Sequence, residues 1–104
     1  MTVKNLLVAN KLLADRVRLA IMATLAAVED PLDFTALLET LELSRGNLSS
    51  HMRKLEDAEF VEVHKEFIDR RPRTTYTCTD LGRRELQGYL EQLESFLKGV
   101  KGAR

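Results

Sequence analysis

From Ser44 to Lys54 the chain carries small polar residues and cations without a single acid: Ser44, Arg45, Gly46, Asn47, Ser49, Ser50, Arg53 and Lys54. Asn and Arg side chains can make bidentate hydrogen bonds to adenine or guanine edges in a DNA major groove. Serine hydroxyls and the free amides of a helix N-terminus suit phosphate oxygens. Further along, Asp69-Arg70-Arg71-Pro72-Arg73 forms an Arg-rich tip between two β-type runs. Three like charges repel and are a poor means of merely closing a turn. On a narrow protrusion they fit phosphate contact or insertion into a narrow minor groove.

The elements around these residues can position them. Ser44 is a good N-cap for a helix running to about Ala58. At 100° per residue, Leu48, Met52 and Leu55 form its buried stripe. Gly46, Ser50 and Arg53 then lie opposite, flanked by Asn47, Ser49 and Lys54. Two strands are expected next, over Phe60–Phe67 and Thr74–Thr79. In the first, Val61, Val63 and Phe67 share one face, with Glu62, His64 and Glu66 on the other.

Upstream, Asp15 caps a helix over 15–28 that carries Val17, Ile21, Leu25 and Val28 at helical spacing. The apolar segment 3–13 reads as an extension of that helix or a separate short one. Glu29-Asp30-Pro31 breaks the pattern. Asp33 caps a second short helix with Phe34, Leu37, Leu38 and Leu41, and Leu32 and Leu37 sit where a hydrophobic staple would hold its entry. Thr79 or Asp80 caps a last helix running to about Lys98. The order helix, helix, helix, hairpin, helix is a mostly α arrangement of the α+β class. It reads as one domain over 1–104: an N-terminal helical extension (1–14), a core (15–79) and a C-terminal helix (80–104).

In the last helix Leu86, Leu90, Leu93, Leu97 and Val100 follow a 4-3-4-3 spacing, a coiled-coil seam that Tyr89 and Phe96 widen. So small a domain cannot cover the whole stripe. Leu6, Leu7, Leu12 and Leu13 could pack on it within the chain or from a partner. A homodimer through Leu6, Leu7, Leu86, Tyr89, Leu90, Leu93, Phe96, Leu97 and Val100 is therefore expected.

Composition narrows the function classes. The 104 residues are 44% hydrophobic and 31% charged, with no apolar run near the ~20 residues of a bilayer span. No membrane partner and no signal peptide are expected, and the expected setting is a reducing cytoplasm. Sixteen cations balance sixteen acids, but unevenly: residues 1–43 hold six acids against four cations, whereas 45–54 hold cations alone. Such segregation suits steering one face toward phosphate. Cys78 reads as a small core residue, His51 as a boundary or phosphate-contacting residue and His64 as exposed, so neither metal nor other cofactor is expected. No Gly-rich phosphate loop and no nucleophile–base pair appears, which argues against an enzyme.

The run Leu43 to Leu55, then Phe60-Val61, Arg70-Arg71-Pro72-Arg73-Thr74-Thr75-Tyr76 and Thr79-Asp80-Leu81-Gly82, resembles winged helix-turn-helix regulators of the MarR/ArsR type. The closest resemblance is to their minimal members without an effector domain. Arg16-Val17-Arg18-Leu19-Ala20-Ile21-Met22 is similar to the first-helix motif of the same group, and the likeness covers about 12–84. It implies a three-helix core, a two-stranded wing over 67–75 and a C-terminal dimerisation helix. It also implies sequence-specific binding of double-stranded DNA by a prokaryotic homodimer, usually a repressor acting on an inverted repeat. The helix from Ser44 would be the recognition helix, and Arg70, Arg71, Arg73 and Thr74 the DNA contacts of the wing. Any small-molecule effector would have to sit at the dimer interface. Glu42 and Glu59 stand where the group commonly has glycine; a positive φ at either would cost on the order of 1 kcal/mol. Zero net charge and these two glutamates point instead to the rival reading, a winged-helix protein-interaction module that does not bind DNA.

Overall fold

A computed structural model describes residues 11–102. Residues 1–10, which include Leu6 and Leu7 of the expected interface, lie outside the described residues. The elements are α1 (Lys11–Ala14), α2 (Arg16–Ala26), β1 (Leu32–Asp33), α3 (Phe34–Leu41), α4 (Arg45–Asp57), β2 (Val61–Ile68), β3 (Arg71–Cys78) and α5 (Asp80–Gly102). No helix among the described residues is long and apolar enough to cross a membrane.

Side-chain caps start four of the helices. Asp15 Oδ1 accepts the amides of Val17 and Arg18 at 2.8 and 3.0 Å, and Asp33 Oδ1 accepts that of Ala36 at 2.7 Å. Ser44 Oγ accepts the amide of Asn47 at 3.1 Å. At α5 the cap is Thr79, whose Oγ1 accepts the amide of Gly82 at 2.9 Å and donates to the Glu59 carbonyl at 2.7 Å. Each cap satisfies amides that the first helical turn leaves without partners. Helix α2 ends at Ala26, short of the expected 28, and leaves Val28 39% exposed. Helix α5 continues past Lys98 to Gly102.

The core gathers Leu13, Ile21, Met22, Leu25, Leu37, Leu48, Met52, Leu55, Phe60, Val61, Tyr76 and Leu86. Leu48, Met52 and Leu55 are the buried stripe foreseen for α4. Gly82 brings α5 close to the turn after α4: a Cβ there would collide with the Phe60 carbonyl oxygen and lie 2.9 Å from the Met22 terminal methyl.

The sheet differs from the expected two-stranded hairpin. It has three antiparallel strands in the order β1-β3-β2, because Leu32 pairs with Tyr76 and Asp33 with Thr75. A two-residue strand has no alternation to betray it in the sequence. With β3 central, adjacent residues Thr75 and Tyr76 are both buried although they face opposite sides.

The wing is also longer and closes more tightly than expected. Ile68 pairs with Arg71, so Asp69 and Arg70 alone make the turn, at φ 50° and 67°. Two positive φ values fit the twist of a two-residue hairpin, a turn that usually takes Asn-Gly. Arg71, Pro72 and Arg73 therefore belong to β3 and not to the tip. Pro72 is tolerated there because β1 does not extend that far, and because Phe67–Pro72, one step beyond the hydrogen-bonded Ile68–Arg71 pair that closes the turn, is a pair that does not exchange hydrogen bonds.

Glu42 and Glu59 do adopt left-handed backbone, at φ 53° and 63°. Glu42 ends α3 and Glu59 follows the Ala58 C-cap of α4. Both turns reverse the chain where glycine carries no Cβ penalty.

Candidate nucleic-acid interface

Helix α4 and the wing face each other across an open groove of about 1330 Å³. Arg45, Ser49, Ser50, Arg53 and Lys54 line it from α4; Arg71, Arg73 and Thr74 line it from β3. Ser44, Gly46 and Asn47 are exposed on the first turn of α4, outside the groove lining, and Arg70 is exposed at the hairpin turn. The structure thus brings most of the singled-out polar residues onto one concave side.

The cations in this groove are not equivalent. Arg53, Lys54, Arg70 and Arg71 are exposed and have no ion-pair partner among the described residues. Arg45 is held over the Phe34 ring, with its guanidinium carbon 5.4 Å from the centroid. A cation over an aromatic face at this distance is attracted by the ring quadrupole. Arg73 is engaged by two carboxylates: Nε lies 3.7 Å from Asp33 Oδ2 and Nη1 lies 3.7 Å from Glu66 Oε1. Both carboxylates lie within ion-pair distance, so Arg73 links the wing to the start of α3 and is less free than its exposed neighbours.

Lys65 and Phe34 also line the groove and were not singled out from the sequence. Lys65 could have been found, since it shares the strand phase of Val61 and Val63. Phe34 could not, because only the tertiary fold sets Arg45 above its ring. The groove has an acidic end as well, at Glu56 and Asp57. On its floor, burial and then the Glu56 carboxylate push the Tyr76 phenol above its ordinary pKa, which keeps it a neutral hydroxyl.

Helix α5 divides the expected seam. Leu86 is 4% exposed and belongs to the core of the chain itself, and Tyr89 packs against that core. The outward-facing part therefore begins later, with Leu90, Leu97 and Val100 exposed and Leu93 and Phe96 half-buried. Cys78 is half-buried, and burial raises its thiol pKa, the setting of a packing residue and not of a reactive thiolate. Among the described residues no three His, Cys, Asp or Glu side chains cluster as metal ligands do.

Residues 17–97 match the winged helix DNA-binding domain family. The chain belongs to that family. Its match runs past the wing and into α5, so the winged helix unit takes in most of the C-terminal helix. An uncharacterised protein of Methanocaldococcus jannaschii is 35% identical over 85 residues, covering 82% of this chain and 91% of its own. The solved structure of a transcriptional regulator homologue from Pyrococcus horikoshii OT3 is 34% identical. It covers 93% of this winged helix chain and 94% of its own, with a TM-score of 0.85. A PadR family transcriptional regulator from Eggerthella lenta DSM 2243 is 25% identical over 82% of each chain, with a TM-score of 0.67.

Proposed function

We propose that this winged helix protein is a transcriptional regulator that binds double-stranded DNA sequence-specifically as a homodimer on an inverted repeat, and that it acts as a repressor. One observation carries the reading. The exposed polar side of α4 and the arginine-bearing wing share a single concave face, beside which Arg53, Lys54, Arg70 and Arg71 stand without an ion-pair partner among the described residues. Unpaired cations on a concave face are what counterion release from a duplex requires.

In this reading Asn47, Ser49, Ser50, Arg53 and Lys54 read or bracket the major groove, with Ser44, Arg45 and Gly46 at the N-terminal approach to phosphate. Arg70, Arg71 and Thr74 hold the flanking backbone. The exposed Leu90, Leu97 and Val100, with Leu93 and Phe96 beside them, supply the two-fold contact. That contact would set two recognition helices about one DNA turn, ~34–36 Å, apart. Leu90→Glu with Leu97→Glu should then give a monomer in sedimentation and weaken operator binding.

The deciding experiment is binding to a pool of duplexes, including DNA upstream of the protein's own gene, at two salt concentrations. Arg53→Ala should cost ~1–3 kcal/mol and relax base preference, whereas Arg71→Ala should weaken all duplexes and flatten the salt slope. Glu56 and Asp57 in the groove, with the zero net charge, favour the rival protein-interaction module. A folded dimer that binds no duplex at low salt would select that rival.

A further inference from the structure

The far end of the wing carries an apolar pair that nothing among the described residues covers. Phe67 is 77% exposed and stands opposite Pro72 in the β2–β3 register, with Pro72 also exposed. Strand alternation puts both on the same face as the Lys65–Thr74 and Val63–Tyr76 pairs. Val63, Lys65, Pro72, Thr74 and Tyr76 line the groove beside α4, so Phe67 and Pro72 prolong the groove-facing side of the sheet beyond the helix. Support from the body ends early, because β1 pairs only with Tyr76 and Thr75. Arg73 still reaches Asp33 from the Glu66–Arg73 pair, and from there to the Ile68–Arg71 pair the ribbon projects for roughly 7 Å, at ~3.3 Å per residue.

The neighbours of this pair indicate what it meets. Arg70 and Arg71 flank it, exposed and without ion-pair partners among the described residues; of the two acids nearby, Asp69 sits in the turn and Glu66 lies on the other face, 3.7 Å from Arg73. Cations around an apolar centre complement a surface that is anionic at its rim and apolar within. The minor groove of a duplex is such a surface, with phosphates along its edges and deoxyribose and base edges inside. At about 6 Å wide it is too narrow for the ribbon but admits one side chain. A second copy of this chain at the same place would set Arg70 and Arg71 against like charges.

We infer that Phe67 and Pro72 form an apolar wedge that enters the minor groove next to the segment faced by α4. There the wedge partly unstacks a flexible pyrimidine–purine step while Arg70 and Arg71 hold the phosphate walls. The inference rests on the DNA-binding reading above and adds to it a contact that carries no charge. It also explains why an aromatic ring is kept in water at the tip of a hairpin, where its burial on a partner relieves the hydration cost.

The test uses the full chain and short duplexes enriched by binding from a random pool, with 2-aminopurine placed at successive flanking positions. Phe67 lies outside the core cluster, so Phe67→Ser should keep the wild-type thermal midpoint. Its affinity should fall about tenfold, the share of an aromatic side chain taken out of water. The salt slope should stay at the wild-type value, and the fluorescence rise at one flanking base step should disappear. Phe67→Leu should recover part of both, and Arg71→Ala should flatten the salt slope. Wild-type affinity and fluorescence in Phe67→Ser would overturn the wedge and leave DNA binding standing. Absence of any duplex binding by the wild type at low salt would overturn both.

Discussion

Arg18 Nη1 lies 3.0 Å from His51 Nδ1 and so ties α2 to α4. An arginine has only donors, so the histidine nitrogen accepts and the ring carries its proton on Nε2. The same guanidinium donates from Nε to the Leu12 carbonyl at 2.8 Å and lies 3.9 Å from Asp15 Oδ2. One half-buried side chain thereby joins α1, the N-cap of α2 and α4. His51 points into this junction and away from the groove, which assigns it to the scaffold.

Replacing Arg18 by Met keeps much of the stem but removes every donor. The loss of a buried charged hydrogen-bond donor should cost about 1–3 kcal/mol. In a domain of this size that is a fall of several degrees in thermal midpoint. A midpoint equal to wild type would show that the junction contributes nothing to stability.

Acid should weaken the start of α2. Hydrogen bonding from the Arg18 amide, then from that of Val17, with the Arg18 charge, holds the Asp15 carboxyl below its usual pKa of 3.8 despite some desolvation. A carboxylate depressed in the folded state stabilises it above the unfolded pKa. That contribution is lost as pH falls from about 3.8 through the lower folded value. Asp15→Asn retains the cap acceptor but cannot titrate. Its stability deficit relative to wild type should be largest at neutral pH and shrink below about pH 4. A deficit that does not vary with pH would refute the assignment.

Glu42 and Glu59 hold left-handed backbone that glycine adopts without a Cβ penalty. Glycine loses more entropy on folding, which offsets part of the gain. Glu42→Gly and Glu59→Gly should each stabilise the chain by up to about 1 kcal/mol, read as a higher urea midpoint at unchanged slope. Lower midpoints in both variants would mean that the glutamate side chains contribute more than the backbone strain removes.

Gly82 permits the approach of α5 to Phe60. Gly82→Ala sets a methyl against a backbone carbonyl, which cannot rotate away as a side chain can. The expected loss is about 1–3 kcal/mol, although alanine is the better helix former by ~1 kcal/mol. A stabilised Gly82→Ala variant would show that α5 packs farther from this turn.

Arg71 and Arg73 should differ as duplex contacts despite standing two residues apart. Arg73 lies within ion-pair distance of Asp33 and Glu66, whereas Arg71 has no ion-pair partner among the described residues. Arg71→Ala should lower the salt slope of binding by about one, and Arg73→Ala by clearly less. Equal slopes for the two variants would remove the distinction.

Local signals in this chain are strong wherever one residue type does one local task. Asp15, Asp33 and Ser44 cap the helices they precede, and Leu48, Met52 and Leu55 face inward by spacing alone. The winged helix resemblance could likewise be read from linear motifs, and the positive φ of Glu42 and Glu59 followed from their places in it.

What depended on distant chain segments could not be read locally. The β1 strand exists only because Tyr76 and Thr75 lie beside Leu32 and Asp33, and two residues have no periodicity of their own. Leu86 and Leu90 have the same spacing pattern, yet contact with the rest of the chain buries one and leaves the other exposed. Arg70, Arg71 and Arg73 looked alike as a basic run. Only the folded chain closes the turn on Arg70, leaves Arg71 without an ion-pair partner among the described residues and sets Arg73 between two carboxylates. Capping and helical periodicity act over a few residues and are written in the sequence; pairing of strands and of charges depends on which remote segments meet, and tertiary packing decides that.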